Sequence, residues 1–435
     1  MQTNVRVSVT DVLSARDQRV QRQRDMLFRH HLPQVSFTMN VAGDVKVTQD
    51  ILRAFLEGVS RIKTELARLR MPIMEEHVIT PFTGCEALFA VSGDACAIKE
   101  AMSRLEDMDA LGRLFDMDVT DENGCPLKRG KPRKCLICDE DAFVCARQRA
   151  HSALELQAAT HRVIRAYFDE KYVRHVGEKA QQGLLFEAVT TPKPGLVDME
   201  NAGVHRDMDI FSFMAGAASL RPYFEDCVRL GMTGASVDRL QFRGMEAERD
   251  MLSAARVNTH KGAVFALGIL CYACGRRGEN ASAADVLQEA ACVGQELLLQ
   301  LRHCADPKTG GEMQYQMYGL TGARGEAAKG FPHAAFIALP VLEEALKKGY
   351  TVNDAGLCAL AALIAHVDDS NVIRRGGMEA LSELKKAAKT CMADGDVKNS
   401  IRTLDAVCTR YGVSPGGCAD LLAVTYFLHL CFNQQ

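Results

Sequence analysis

Residues 190–209 concentrate side chains that bind ligands and transfer protons. The segment reads TTPKPGLVDMENAGVHRDMD and combines two prolines, two glycines and four acidic residues with a lysine, an arginine and a histidine. Proline restricts φ and glycine permits unusual values of φ, so such a loop follows one irregular path. Reactive side chains are often carried by loops that a rigid scaffold holds in place. We therefore expect a binding or catalytic site here, the alternative being a solvated surface turn.

The end of this segment could present three side chains on one side of the chain. His205, Asp207 and Asp209 alternate with other residues. They converge only where the backbone is extended, because on a helix the two aspartates would diverge by about 200°. We therefore expect the next helix to begin at Asp209.

Four further polar tracts lie at the ends of apolar helical segments. They are residues 258–262, 318–332, 368–371 and 374–377. The first leaves His260, Lys261 and free backbone N–H groups at the positive end of a helix, where a phosphate binds readily. In the second, Arg324 offers a planar fork to phosphate oxygens beside Glu326. Each tract alone could be a helix cap, a surface ion pair or a pair of solvated acids. Together they indicate a ligand site, because charged groups gathered beside a core need partners.

A pair of aspartates marks the first third of the chain. Asp116 and Asp118 lie two residues apart on a predicted strand, so both carboxylates face one side with Cα atoms about 7 Å apart. Mg²⁺ binds carboxylate oxygens together with substrate phosphates, so this pair could present the metal to a pyrophosphate or triphosphate. The alternative is two solvated acids on a strand face.

A cysteine cluster follows a basic run at residues 128–134. Its members are Cys135, Cys138, Cys145 and His151. Their types and approximate spacing are those of a Cys₃His zinc site, with unliganded thiols as the alternative. The basic run is either a solvated loop or, beside a metal at the aspartate pair, a group that holds phosphate charges.

The hydrophobic pattern predicts an α+β N-terminal domain, residues 1–170, followed by an all-α C-terminal domain, residues 171–435. Helical spacing and strand alternation predict a polar helix and then strand, helix, strand, strand, helix and strand. These elements cover residues 14–30, 34–41, 50–69, 76–80, 87–91, 95–108 and 113–119. This order is that of the ferredoxin-like split sheet. Beyond residue 139 we expect helices, one of them continuous across the boundary.

Composition restricts the partners. The 435 residues are 47% hydrophobic and 25% charged, with a net charge of -3 that offers no field to attract nucleic acid or an anionic membrane. The N-terminus lacks the pattern of a signal peptide, and the longest apolar run, residues 262–273, is shorter than the roughly 18 residues that cross a bilayer. We expect a cytoplasmic protein without membrane spans, with its sixteen cysteines reduced.

Four tracts of the first half resemble the apo-citrate lyase phosphoribosyl-dephospho-CoA transferases. They read FTMNVAGDVK at 37–46, TGCEAL at 83–88, GRLFDMDV at 112–119 and RKCLICDEDAFVCAR at 133–147. The resemblance implies transfer of a phosphoribosyl-dephospho-CoA group to a serine of the citrate lyase acyl carrier subunit, with release of pyrophosphate. It also implies that Asp116 and Asp118 carry Mg²⁺ and that Arg16, Lys46 and Arg113 hold phosphates. The carrier of malonate decarboxylase stays an alternative target.

The second half, over about residues 178–435, resembles the triphosphoribosyl-dephospho-CoA synthases. The tract TTPKPGLVD at 190–198 is the clearest match. The resemblance implies that this half joins ATP to 3′-dephospho-CoA and releases adenine, which makes the compound that the first half consumes. The chain therefore resembles a bifunctional fusion of the two enzymes.

The implied glycosyl transfer needs a base, an acid and a clamp for the triphosphate. We expect the base among Asp198, Asp207 and Asp209, and His260 as the acid that protonates adenine. Phosphate and substrate contacts are assigned to Lys193, His205, Lys261, Arg324, Glu326 and Asn371. Mg²⁺ is assigned to Asp207, Asp209 and Asp369.

Two other functions compete with this one. Histidines and aspartates on a helical scaffold also suit a metal-dependent phosphohydrolase. A non-catalytic assembly factor for a carrier protein, which docks through its arginine-rich first helix, is the second alternative.

Overall fold

The computed structural model describes residues 4–138, 140–302, 313, 315–317, 319–394 and 396–433. Tyr318, which begins one of the polar tracts, and Asp139, within the cysteine tract, lie outside the described residues. The chain divides into two compact units, Met1–Glu170 and Lys171–Gln435.

The N-terminal unit contains a four-stranded antiparallel sheet whose strands lie in the order β2-β3-β1-β4. Its elements are α1 (Val9–His30), β1 (Gln34–Met39), α2 (Gln49–Arg68), β2 (Ile73–Ile79), β3 (Glu86–Val91), α3 (Ala95–Asp107), β4 (Phe115–Thr120) and α4 (Ala142–Gln148). The order of elements and the strand order are those of the split sheet, which confirms the predicted α+β class. The first helix begins earlier than the sequence suggests, because Ser8 and Asp11 form a capping box.

The two faces of this sheet have different partners. Phe37 of β1 stacks on Phe55 of α2 with ring centroids 5.1 Å apart, within a core that also includes buried residues of α3. On the opposite face, Met26 of α1 packs with Leu88 and Ala90 of β3. Since side chains alternate along a strand, each strand residue belongs to one face or the other. The face covered by α1 is the one that carries the aspartate pair of β4.

The described part of the C-terminal unit is helical. Its helices are α5 (Ala153–Val189), which begins before the boundary, α6 (Ile210–Ser219), α7 (Arg221–Met232), α8 (Val237–Ala255), α9 (Lys261–Arg277), α10 (Ala283–Arg302), α11 (Gly322–Ala327), α12 (Leu339–Lys347), α13 (Val352–His366), α14 (Ser370–Ala393), α15 (Val397–Tyr411) and α16 (Gly416–Phe432). This confirms the predicted all-α class. Arg149 adopts a left-handed conformation that ends α4 before α5 begins, and Pro222 lies at the start of α7, directly after α6.

Helix α9 is buried along most of its length, as its apolar run predicts. It packs closely on α7 through glycines. A Cβ atom at Gly275 would lie 2.0 Å from the carbonyl oxygen of Val228, and one at Gly231 would lie 2.1 Å from that of Tyr272. The absent side chains therefore allow the two backbones to approach. This contact fixes the direction in which the first turn of α9 points.

Among the described residues, no single helix has both the length and the apolar composition of a membrane span. The bent pair α13 and α14 together pass by length and composition alone.

Candidate functional site

Asp116 and Asp118 lie on the face of β4 that points away from the core. Asp116 is half-buried and Asp118 is exposed. The residues that alternate with them, Phe115, Met117 and Val119, are buried. Burial and the neighbouring Asp118 carboxylate raise the pKa of Asp116. Two neighbouring carboxylates on one strand face fit a shared divalent cation.

The basic run lies beside this pair. Arg133 Nη1 is 3.3 Å from Asp116 Oδ1, and Arg129 Nη1 donates to Glu106 Oε2 over 2.8 Å. Arg133 also pairs with Glu106, whose side chain is only 1% exposed. Burial and the charge of Arg133 lower the pKa of Arg113, so that guanidinium belongs to the same basic group. Glu106 therefore anchors a set of cations at the edge of the aspartate pair.

Arg16 and Lys46 form a second cationic pair. Lys46 is half-buried and its Nζ donates to the carbonyl oxygen of Val41 over 2.6 Å. Burial and the nearby charge of Arg16 lower the pKa of Lys46. Within the described part of the unit, no ion pair joins either cation to Asp116 or Asp118. The structure thus brings Arg16 to Lys46, and Arg113 to Arg129 and Arg133.

The cysteine cluster forms a compact group. One ligand atom from each of Cys135, Cys138, Cys145 and His151 lies within 4.8 Å of all the others. Burial alone would raise the pKa of Cys135, but hydrogen bonds from the backbone N–H groups of Ile137 and Cys138 lower it to about 6. Its hydrogen bond with Cys138 raises the pKa of Cys145 to about 12.

The loop at 190–198 in the C-terminal unit is largely buried, not a solvated turn. The side chain of Lys193 has no exposed surface, and its Nζ pairs with Glu187 Oε1 at the end of α5. Asp198 accepts hydrogen bonds from the backbone N–H groups of Lys193, Glu200 and Asn201 at 2.7, 2.8 and 2.9 Å. Both predicted site residues therefore hold the loop together. The assignment of Lys193 to phosphate and of Asp198 to proton transfer stays a prediction.

Two glycines allow this loop to fold back on itself. Gly195 and Gly203 have positive φ values of 66° and 56°. A Cβ atom at Gly203 would lie 2.5 Å from the carbonyl carbon of Gly195, and one at Gly195 would lie 2.6 Å from the carbonyl oxygen of Val413. The start of the loop thus packs between its own later residues and the turn before α16.

We expect Asp198→Ala to destabilise the C-terminal unit by about 2–4 kcal/mol, because three backbone N–H groups, that of Lys193 in a buried hydrogen bond, lose a charged acceptor. Denaturant unfolding followed by circular dichroism measures this change. The matched control is Glu200→Ala, which removes an exposed ion pair with Arg402 at 3.2 Å and should cost less than about 1 kcal/mol. Equal effects of the two substitutions would contradict a bracing role for Asp198.

The predicted convergence of His205, Asp207 and Asp209 is met in part. Asp209 is the N-cap of α6 with an extended backbone (φ -140°), and it exchanges hydrogen bonds with Ser212. Burial and the charge of Arg375 lower the pKa of His205, while Asp207 opposes that shift. His205 and Asp207 therefore interact, and the tract at 374–377 joins them through Arg375. Asp209 is committed to its helix cap.

His260 and Lys261 begin α9 but differ in exposure. His260 is 2% exposed, and its Nε2 lies 2.9 Å from the carbonyl oxygen of Phe213, to which it donates. Burial lowers the pKa of His260, so the ring is neutral at pH 7. Lys261 is half-exposed and pairs with Glu248 at 2.9 Å.

Three carboxylates meet near this helix start, two of which the sequence did not single out. Asp420 of α16 lies over Gly262, where a Cβ atom would approach Asp420 Oδ2 to 1.9 Å, and it accepts from the backbone N–H of Ala263. Burial raises the pKa of Asp420 well above its usual value, and the charges of Glu187 and Asp369 add to the shift. Like-charged carboxylates gathered at a helix N-terminus mark a candidate site.

Asp369 ties two helix starts together. It caps α14 through the backbone N–H of Asn371 at 2.8 Å and accepts from the N–H of Cys418 in α16 at 2.9 Å. A Cβ atom at Gly416 would lie 2.9 Å from Asn371 Nδ2, so Asn371 faces the start of α16. Burial raises the pKa of Asp369 despite its backbone hydrogen bonds. The N-termini of α9, α14 and α16 therefore converge on one polar region.

The tract at 319–332 reaches the same region through its glycines. A Cβ atom at Gly322 would lie 3.8 Å from Ser370 Oγ at the start of α14. Arg324 is half-buried on α11. Glu326 accepts from the backbone N–H of His333 at 2.9 Å and pairs with its ring, so it braces the following turn.

Metal ligands are distributed unequally between the units. In the described ranges, the cysteine cluster is the one group of three or more residues whose ligand atoms could hold an ion. Asp207, Asp209 and Asp369 do not form such a group. Their assignment to Mg²⁺ stays a prediction.

Each unit matches a protein-family model. The model described as "CitX: Apo-citrate lyase phosphoribosyl-dephospho-CoA transferase" matches residues 7–167. The model described as "CitG: ATP:dephospho-CoA triphosphoribosyl transferase" matches residues 173–435. A relative named "Protein CitXG" from Haemophilus influenzae is 31% identical over 97% of this chain and 96% of its own. The chain belongs to the CitXG family.

Other relatives show both the fused and the separate forms. A CitXG protein from Leuconostoc mesenteroides is 30% identical and covers 97% of each chain. A "2-(5''-triphosphoribosyl)-3'-dephosphocoenzyme-A synthase" from Pectobacterium atrosepticum is 37% identical over 63% of this chain and 95% of its own. As a CitXG family member, the chain is a bifunctional transferase for synthesis of the citrate lyase prosthetic group, with ATP and dephospho-CoA as substrates.

Proposed function

We propose that the C-terminal unit performs its transfer where the starts of α9, α14 and α16 converge. The 2′-hydroxyl of 3′-dephospho-CoA attacks C1′ of the ATP ribose, the bond from C1′ to adenine breaks, and adenine leaves. The product is 2′-(5″-triphosphoribosyl)-3′-dephospho-CoA. The observation that carries this placement is the gathering of Glu187, Asp369 and Asp420 around the first turn of α9.

Asp420 is proposed as the acid that protonates adenine. A carboxyl group with a raised pKa keeps its proton nearer to neutral pH, which a general acid requires. His260 suits this role less well, because burial keeps it neutral and its Nε2 proton is donated to Phe213. In this assignment His260 positions the start of α9.

Asp207 is proposed as the base for the 2′-hydroxyl. It is exposed and interacts with His205, so it can accept a proton without first leaving a helix cap. Asp209, in contrast, already accepts the hydrogen bond of its cap from Ser212 at 2.9 Å. Phosphate contacts are assigned to Lys261 and Arg324, which lie on tracts that reach this region, and Asn371 is assigned to the substrate.

The N-terminal unit is proposed to transfer its group at the aspartate pair. The serine hydroxyl of the carrier attacks the phosphorus next to the ribose, and pyrophosphate leaves. Mg²⁺ held by Asp116 and Asp118 would offset the charge of the departing phosphates. Arg133 lies beside the pair and Arg113 lies close to Arg133, and both are assigned to phosphate oxygens. Arg16 and Lys46 are assigned to the remaining phosphates.

One incubation separates this function from its main competitor. The chain is mixed with ATP and 3′-dephospho-CoA, and the products are identified by mass spectrometry. Transfer gives free adenine and the triphosphoribosyl adduct, whereas a phosphohydrolase gives inorganic phosphate and a shorter nucleotide in which adenine stays attached to the ribose. With apo-carrier present, the adduct should move to the carrier serine, which a non-catalytic assembly factor does not achieve.

The pH dependence of adenine release should report Asp420. Its pKa is raised, so the proton needed by the leaving adenine is present below that pKa and is lost as the pH rises through it. We therefore expect kcat for adenine release to fall on the alkaline side. Initial rates at saturating substrates across a pH series measure this limb. A rate that stays level or rises over the same range contradicts the acid assignment.

A further inference from the structure

The cysteine cluster of the N-terminal unit has the dimensions of a zinc site. Cys138 Sγ lies 3.4 Å from Cys145 Sγ and 3.3 Å from His151 Nε2. In a tetrahedral site with Zn–S bonds of about 2.3 Å, ligand sulfurs lie about 3.8 Å apart. A disulfide requires about 2.05 Å, so these atoms are not bonded to each other. The two separations are a few tenths of an ångström shorter than this, and all four ligand atoms lie within 4.8 Å of one another, so the group is close to the size that surrounds one small ion.

The local fold around the cluster has little apolar support of its own. Ile137, Phe143 and Val144 are 40%, 71% and 39% exposed, although they flank the ligands. The backbone turns sharply, with the N–H of Cys135 donating to the carbonyl oxygen of Glu140 over 2.7 Å. A short segment that buries few apolar side chains needs another source of stability, and bound metal commonly supplies it.

The segment also positions a residue of the transfer site. The N–H of Ala142 donates to the carbonyl oxygen of Arg133 over 2.8 Å, which fixes the backbone of Arg133 to the start of α4. The guanidinium of Arg133 then reaches Glu106 and Asp116. The cysteine segment therefore helps to fix the position of Arg133 beside the aspartate pair.

We propose that Cys135, Cys138, Cys145 and His151 bind one structural Zn²⁺, which holds Arg133 against the aspartate pair. Thiolates and imidazole bind Zn²⁺ in preference to Mg²⁺ or Ca²⁺, which favour oxygen ligands. All four positions are taken by protein ligands, so this ion has no open site for substrate. The metal is separate from the Mg²⁺ assigned to Asp116 and Asp118.

Metal analysis of the full chain tests this proposal. We expect about one zinc per chain by elemental mass spectrometry after dialysis, and loss of that zinc in Cys138→Ser. Cys125→Ser is the matched control, because Cys125 is an exposed cysteine of the same unit outside the cluster and should leave the zinc content unchanged. A metal-free wild-type chain, or equal zinc in wild type and Cys138→Ser, overturns the proposal.

Two measurements on the wild-type chain avoid any folding defect of the variant. Modification of thiols with a mercurial reagent should release zinc to a coloured indicator in proportion to the chain present. Replacement by Co²⁺ should give the intense near-ultraviolet absorption of cobalt–thiolate bonds. A disulfide within the cluster, found by mass spectrometry of the unreduced chain, overturns the proposal. Zinc content does not depend on catalysis, so this result stands apart from the fate of the proposed transfer.

Discussion

Asp420→Asn should lower the rate of adenine release from ATP and 3′-dephospho-CoA by about 10²–10⁴-fold, the usual contribution of a proton-transfer group. Asparagine has nearly the same shape and can still accept from the N–H of Ala263, so the start of α9 keeps its contact. It also removes a carboxyl that Glu187 and Asp369 both disfavour as an anion. We therefore expect the folded stability to be maintained while the chemical step fails.

The control for this substitution lies one residue from Asp369. Asp368 is exposed and pairs with Lys385. Asp368→Asn therefore removes a carboxylate next to Asp369 without changing the buried carboxyl groups of Asp369 and Asp420. Its rate of adenine release should stay within a few fold of wild type. Asp420→Asn should also retain transfer to the carrier when the triphosphoribosyl compound is supplied. A normal rate of adenine release in Asp420→Asn would falsify its role as the acid.

Replacing both aspartates of β4 should impair carrier modification and leave adenine release intact, which is the reverse of the effect expected for Asp420→Asn. Asp116→Asn/Asp118→Asn removes both carboxylates of the pair and so the proposed Mg²⁺ ligands. We expect carrier modification to fall by at least about 10²-fold, as when a preorganised electrostatic contact is lost in other enzymes. Adenine release by the C-terminal unit should continue at its normal rate. The measurement is the mass of the carrier after incubation with the supplied triphosphoribosyl compound.

Glu122→Gln serves as the control in the same unit. Glu122 is an exposed acid just beyond the end of β4, so its loss changes the local charge without touching the pair. Carrier modification should be unaffected. If the double aspartate variant also modified the carrier at the normal rate, the first half would act by binding alone, as the assembly-factor alternative holds.

Local sequence patterns were sufficient for most of the fold. Strand alternation places Asp116 and Asp118 on one face, and the structure shows them there. The spacing of His205, Asp207 and Asp209 predicts a helix that starts at Asp209, and Asp209 is the N-cap of α6 with an extended backbone. Such features depend on residues within a few positions of each other. Local patterns therefore predict them well.

The centre of the proposed C-terminal site could not be predicted from local patterns. Glu187 and Asp420 are separated by most of the unit, and neither lies in a tract of unusual composition. One signal for Asp420 was available, since it is an acid within the otherwise apolar helix α16, just after Gly416 and Gly417. A charge on an apolar helix near a core indicates a partner or a site. Which residues surround it is decided by packing between distant helices.

Two buried residues of the loop have internal partners that the sequence does not reveal. Lys193 and Asp198 have the types expected of a phosphate clamp and a base, yet the structure gives each of them internal partners. Sequence composition records which groups are present but not which of them face solvent. The same residue types can hold a loop together from inside or face a ligand from its surface.

The fold-back of Gly195 and Gly203 has a consequence for how this protein can vary over time. At both positions the backbone has positive φ, and a single added carbon would collide with a main-chain atom that no side-chain rotation can move. Substitution by alanine or serine, which most surface loops tolerate, is therefore excluded at these two positions. The loop can therefore change its charges, but its path is inherited as a fixed shape.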